Sequence, residues 1–477
     1  MKLISVLLAS ATLLLSACSL PVETFRATAY SEIARVQMAA GDPAGALDTA
    51  QRAVAAIEKM EDKNERIFGI PAAAIAQVRA GDLDGAHETV NLADSDDVRV
   101  VAYTALALAL VDSGHAKAAK TAAAQAVEAA QRLEPGRKRD EMLVNAAWAQ
   151  AVTGDVSGAR KRVDGLTSEK HRDGLLGLIA MTQLAAGDIP GAHTTAQDIS
   201  IRDGQSENDA WIFSVVFSGI AGDSLTVLDA ILFESKMPLK AVVTIRIGAA
   251  QFRSGDPDGA RQSFLAAMQY AGMAGGAWDA SRSMSNVALA RAAAGDLSGA
   301  VEALNYAEQL AAGQTSEDGE GRVGEGLDYV LTMRSAISRS GSPDDVLGIA
   351  GGAGQEITEL LVAAAMAKTQ LGQAKAAADY LEAAVDSRPS DGDLSMVAAA
   401  YGSLAGAQLR QGDRVGGRVA AKRTLEIAES VAASSEDRAI ALFFAAVALA
   451  RAGDVVLALE TADGIEGPNS KPFPEPQ

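Results

Sequence analysis

One six-residue string keeps returning along this chain: Gly-Asp, two variable residues, then Gly-Ala. It stands at Gly41, Gly81, Gly154, Gly187, Gly255 and Gly295, with weaker copies at Gly114, Gly222, Gly341, Gly372, Gly412 and Gly453. A unit repeated about a dozen times implies an array in which each unit buries its apolar face only against its neighbours. Composition agrees with that architecture. Of 477 residues, 48% are hydrophobic but only 4% aromatic, too apolar for disorder and too short of bulk for one large globular core.

Small residues flank each turn at fixed offsets. Seven before the turn Gly come Ala74, Ala147, Ala180, Gly248, Ala288, Ala405 and Ala446; five after it come Ala46, Ala86, Ala159, Ala192, Ala260 and Ala300. Val90, Phe264, Leu304 and Leu381 stand nine after, and Ala53, Ala93, Ala126 and Ala267 twelve after. Offsets of five, nine and twelve share one face of a helix that begins at the turn. Each unit therefore reads as helix, Gly-Asp turn, helix. Spacing between turns switches between 40 residues (Gly41 to Gly81, Gly114 to Gly154) and 33 (Gly81 to Gly114, Gly154 to Gly187). Seven residues are close to two helical turns, so the longer units keep their apolar face in register by lengthening the second helix.

The pattern resembles the tetratricopeptide repeat, whose helix pairs carry small residues at these offsets. The resemblance implies an all-α fold, a right-handed superhelical α-solenoid of about 11–12 degenerate helix pairs; Sel-like and HEAT-like arrays are the alternatives. It also implies that the first helices line a concave groove that takes protein partners. The matching groove positions include Trp148, Phe68, Met181, Phe252, Arg253 and Arg410. Trp148 is the position to probe first, since large aromatics are favoured interface anchors.

The ends of the chain carry a different message. Met1-Lys2, an apolar run from Leu3 to Leu15, and Leu15-Ser16-Ala17-Cys18 have the shape of an export signal too short to span a membrane. Leu-Ser-Ala-Cys resembles the lipobox of bacterial lipoproteins, which implies lipidation at Cys18, the single cysteine. Two or more acyl chains hold a protein stably on a bilayer. The resemblance also implies an outer-membrane address on the periplasmic side, from Ser19 after the Cys. The expected organisation is a signal peptide over 1–17, the lipidated Cys and a linker over 18–28, and an array over 29–310. A Gly-rich insert and irregular joint covers 311–354, a second array 355–466 and a disordered tail 467–477.

Chemistry is sparse. Gly319-Glu320-Gly321-Arg322-Val323-Gly324 has the letters of a dinucleotide fingerprint but follows a helical pattern and is acidic, so no cofactor is expected. His87, His115, His171 and His193 show no metal-ligand spacing and read as surface residues; no metal or catalytic set is expected. The turn Asp reads as a helix cap. A net charge of −19 disfavours nucleic acid. The function that follows is a non-enzymatic scaffold or adaptor lipoprotein of the envelope, serving assembly, export or proteolysis. The alternative is a glycan- or small-molecule-binding lipoprotein.

Overall fold

The structure, a computed structural model, describes residues 22–60, 66–200, 238–273, 277–312, 322–338, 341–349, 354–432 and 436–465. The described residues build eleven helix pairs and no strand. The first five are α1 (Val22–Ala39) with α2 (Pro43–Glu58), α3 (Arg66–Arg79) with α4 (Leu83–Asn91), α5 (Asp96–Asp112) with α6 (Ala116–Arg132), α7 (Arg137–Val152) with α8 (Val156–Val163), and α9 (Glu169–Ala185) with α10 (Ile189–Gln197). Three more follow: α11 (Leu239–Arg253) with α12 (Pro257–Ala271), α13 (Ala277–Ala293) with α14 (Leu297–Ala312), and α15 (Arg322–Ile337) with α16 (Pro343–Ile349). The last are α17 (Gly354–Gln370) with α18 (Ala374–Asp386), α19 (Asp391–Arg410) with α20 (Arg414–Ser430), and α21 (Glu436–Arg451) with α22 (Val455–Asp463).

Each letter of the repeated string has a physical task. At Gly81 the backbone enters the left-handed region at φ +83°, which only Gly adopts without penalty, and the first helix ends there. Gly81 N–H donates to Val78 O (3.0 Å) and Asp82 N–H to Gln77 O (2.9 Å), closing the helix end. The Asp82 carboxylate then accepts from Gly85 N–H at 2.9 Å and caps the second helix. A Cβ on Gly85 would lie 2.2 Å from Asp82 Oδ2 and 2.6 Å from Gln77 Nε2, so the second Gly makes room for the cap. Ala86, next in the string, is fully buried against the first helix.

Variation among copies supports that reading. All seven turns that pair the Asp with a Gly three residues on form the cap, from Asp42 with Gly45 to Asp413 with Gly416. Where Leu457 stands at the second Gly position, Asp454 makes no such bond. His115 and Gln373 replace the Asp elsewhere, and there Ala118 and Ala376 replace the second Gly.

A further member of the motif escaped the sequence reading. Four before the turn Gly stands Gln37, Gln77, Gln183 or Gln251, whose side-chain oxygen accepts from Thr49, Thr89, Thr195 or Ser263 on the second helix at 2.6–2.8 Å. The bond is buried and ties the two helices of a unit together. Its signature, Gln and Thr or Ser twelve residues apart across the turn, is legible once the turn is taken as origin.

First helices form the inner layer, each packed against the first helices on either side and against two second helices. Second helices cover them from outside and expose their far faces. Long and short second helices alternate at the start as the spacing implies, with α2 and α6 at 16 and 17 residues against 9 and 8 for α4 and α8.

The copy at Gly222 lies outside the described residues, and among those described α9 and α10 pack on α11. Two expectations meet differences. Within the stretch read as an irregular joint, α15 and α16 form a helix pair, and α15 packs on α13, α14 and α17. The first helix begins at Val22, inside the stretch read as a linker, because it has a tertiary partner that spacing does not reveal.

That partner is the far end of the chain. Helix α1 packs on α21 and α22 in the way α21 packs on α19 and α20, so the solenoid closes into a ring. Phe25 meets Phe443 with ring centroids 5.8 Å apart. Inside the ring, a basic side chain near the start of a first helix donates to the last carbonyl region of the preceding second helix: Arg66 to Met60 O, Lys240 to Ile199 O, Arg438 to Val431 O. Arg26 does the same to Ile465 O across the closure. The seam between last and first pairs thus uses the repeat's own device.

Candidate functional site

Seven of the turn carboxylates are committed to capping, and side chains gather in three other places: the seam, a buried histidine and a cleft.

At the seam, Glu32 of α1 is buried and ringed by guanidinium groups. Its carboxylate accepts from Arg35 at 2.6 and 3.0 Å and from Arg451 Nε at 2.7 Å, and lies 3.4 Å from Arg79 Nη1. Burial pushes this carboxyl up, but the charges of Arg451, Arg35 and Arg79 overcome it and hold Glu32 far below the usual carboxylate range. Arg79 is itself buried and its pKa is lowered, by burial first, with Arg35 and Arg451 adding to the effect. Burial raises Asp112 nearby. An ideal Cβ on Gly406 would lie 3.3 Å from Arg410 Nη1 and 4.0 Å from Arg451 Nη1, so these two guanidiniums meet over that glycine. Burial and the Arg451 charge lower Arg410 in turn. On the other side of the seam Tyr30 and Arg52 both bond to the Asp463 carboxylate.

His171 corrects the reading of all four histidines as surface residues. It is buried where α9 begins, with Nδ1 3.8 Å from Asp140 Oδ2 and Nε2 3.9 Å from Glu141 Oε1. Asp140 Oδ2 accepts from Thr167 N–H at 2.9 Å and Ser168 N–H at 3.0 Å, so it organises the loop that carries the histidine in. Burial lowers the His171 pKa and outweighs the two carboxylates.

The cleft, about 670 Å³, lies between α10 and α12 with α11 as its floor. His193, Thr194, Gln197, Thr244, Gln262 and Tyr270 line it with amides, hydroxyls and one aromatic ring. Lys240 spans its end, donating to Gln197 O and Ile199 O at 3.0 and 2.8 Å, with its ammonium 5.5 Å from the Tyr270 ring centroid.

The groove positions taken from the resemblance are dispersed. Trp148 is 7% exposed and belongs to the core of α7. Its ring is covered because neighbouring helices flank each first helix on three sides. Met181 and Phe252 are half-buried, and the Phe252 ring packs beside Gly295 of the following turn. Arg253 and Arg410 are exposed; Arg253 lies beside Arg246, and Arg410 joins the arginines at the seam. The side chain of Phe68 and all of Cys18 lie outside the described residues. Sequence reasoning missed Glu32, Arg35 and Arg79, which meet between α1 and α3, and Arg451, which joins them only when the ring closes. Large apolar side chains are exposed instead on the outer helices: Leu297, Val301 and Tyr306 on α14, Val415 and Val419 on α20, and Val456 on α22. Among the described residues no group of three His, Cys, Asp or Glu is placed to hold a metal ion, and no helix is long and apolar enough to cross a membrane.

No family model matches the chain, and no curated protein matches its sequence. Among solved structures, it is similar to a Rap protein complexed with competence and sporulation factor. The two are 12% identical with a TM-score of 0.28, over 77% of this chain and 98% of that one. It is likewise similar to the apo form of the quorum sensor NprR from B. thuringiensis, at 12% identity and a TM-score of 0.27 over 72% of this chain and 92% of that one.

Proposed function

We propose that this protein is a non-enzymatic adaptor, tethered by a lipid on Cys18 to the periplasmic side of the outer membrane, that brings protein partners together in envelope assembly, export or proteolysis. The observation that carries the reading is the outer layer. Valines at 415 and 419, 76% and 64% exposed, stand one turn apart on α20, and Leu297 and Val301 repeat the arrangement on α14. Apolar side chains set in rows on a polar helix favour contact with a partner. Cys18 lies four residues before α1, so an anchor there would hold the start of α1 within about 14 Å of the bilayer, at roughly 3.5 Å per extended residue. Photo-crosslinkers placed at Val419 and Val301 in cells should each capture a defined protein. Capture of none at either site would refute the adaptor, and a Cys18→Ala protein that stays membrane-bound would refute the tether.

The cleft supports a second reading, a glycan- or small-molecule-binding lipoprotein, because its amide and hydroxyl lining beside Tyr270, with Lys240 and Asp256 at its edge, suits a polar ligand. Trp148 and Tyr103 are not among its lining residues. Titration with soluble peptidoglycan fragments, against a Tyr270→Ala control, separates this reading from the first.

A further inference from the structure

We propose that the seam is a binding site for an oxyanion, the carboxylate or phosphate group of a ligand, held by Arg79, Arg410 and Arg451. The inference does not depend on the adaptor reading.

Charge gives the first reason. Four guanidinium groups from four helices, Arg35 of α1, Arg79 of α3, Arg410 of α19 and Arg451 of α21, gather where the ring closes. Against them stand Glu32, fully ionised, and Asp112. The cluster carries an excess of positive charge in a chain whose net charge is −19. Like charges held close together repel, and an anion between them removes the repulsion.

Unmet hydrogen bonding gives the second, independent reason. Arg79 spends Nη1 on Ser31 Oγ at 2.8 Å and on Glu32, but its Nε and Nη2 are buried with no hydrogen-bond partner. Its side chain is 3% exposed. Buried charged donors left unmet are costly, and native folds rarely keep them. Arg451 uses only Nε on Glu32, and among the described residues no carboxylate pairs with Arg410. Water would meet the donors but leave the charge excess. An oxyanion meets both, since its oxygens accept from the planar guanidinium fork.

Access and consequence follow from placement. Arg410 is exposed and Arg451 partly so, while the Arg79 side chain is 3% exposed, so an anion reaching Arg79 would enter from solvent past Arg410. Arg451 is the member that both Arg79 and Arg410 sense. A ligand there bridges the chain's first two pairs to its last two and holds the ring shut.

The test is calorimetric titration of the full chain with inorganic phosphate and, separately, citrate, each at constant ionic strength against chloride. At least one anion should bind saturably, and Arg410→Gln should weaken it about tenfold or more, as loss of one charge-assisted bond does. Arg79→Gln should act in the same direction. If that buried replacement fails to fold, the exposed Arg410→Gln still decides the matter. In the wild type the bound anion should slow hydrogen exchange in α1 and α21. Binding of phosphate alone or citrate alone assigns the ligand group. Saturable binding of neither, or equal affinity in wild type and Arg410→Gln, overturns the proposal.

Discussion

Two junctions of the ring make the same contact by different means. Between α20 and α21 the chain is continuous, and Arg438 bonds to the carbonyl of Val431; between α22 and α1 nothing covalent joins them, and Arg26 bonds to the carbonyl of Ile465. The internal junction needs little beyond apolar packing. The seam adds charge: Glu32 pairs with Arg451 across it and with Arg35 and Arg79 on its own side, and Asp463 takes Tyr30 and Arg52. A junction made by the chain's continuity forms at no cost in translational freedom, whereas closing a ring end to end must offset the entropy of bringing distant segments together. The difference teaches that closure is a separate event, laid over an array that is already specified unit by unit.

The largest test of that contrast is Glu32→Gln. Removing the one buried carboxylate among three guanidiniums should cost about 3 kcal/mol, the scale of breaking a buried ion pair from one side. Hydrogen exchange should rise in α1, α21 and α22 before it rises in α5 to α8. Uniform loss of protection around the ring would mean that the seam is no weaker than the other junctions.

A smaller effect tests the unit itself. Asp82→Ala removes a cap and should cost about 1 kcal/mol, while Asp454→Ala, where no cap bond exists, should cost only a few tenths. Denaturant melts of the two variants should therefore separate. Equal losses would break the link between the cap and the second Gly.

The smallest effect is in pH. Burial lowers the His171 pKa below its ordinary value near 6.5, so on acidification the unfolded chain takes up that proton first. Its contribution is full above about pH 6.5 and declines as pH falls toward the folded value. Melting temperatures measured from pH 8 to pH 5 should drop more steeply in wild type than in His171→Gln, and parallel curves would show that His171 does not matter to stability.

The turn was legible in its Asp cap and its flanking small residues, and the structure added the space that its second Gly leaves. Gly81, Asp82, Gly85 and Ala86 act on one another within six residues, so their roles follow from φ, capping and the space a Cβ would need. Gln77 and Thr89 were legible in principle, since their bond spans one turn. Trp148 was misplaced for a specific reason: an aromatic on a first helix reads as a groove anchor if the groove is open, and α7 is covered on three sides. Arg410 was picked from the sequence as a groove residue, but its neighbours Arg451 and Arg79 were not, being more than 40 and 300 residues away in sequence.

The sequence by itself determined the helix pair, its turn and the alternating length of its second helix, because each depends on contacts inside one unit or between neighbours. Only the tertiary structure decided that the ring closes and that four arginines meet there. Closure depends on small rotations between successive pairs, summed around the array, and no local pattern encodes a sum.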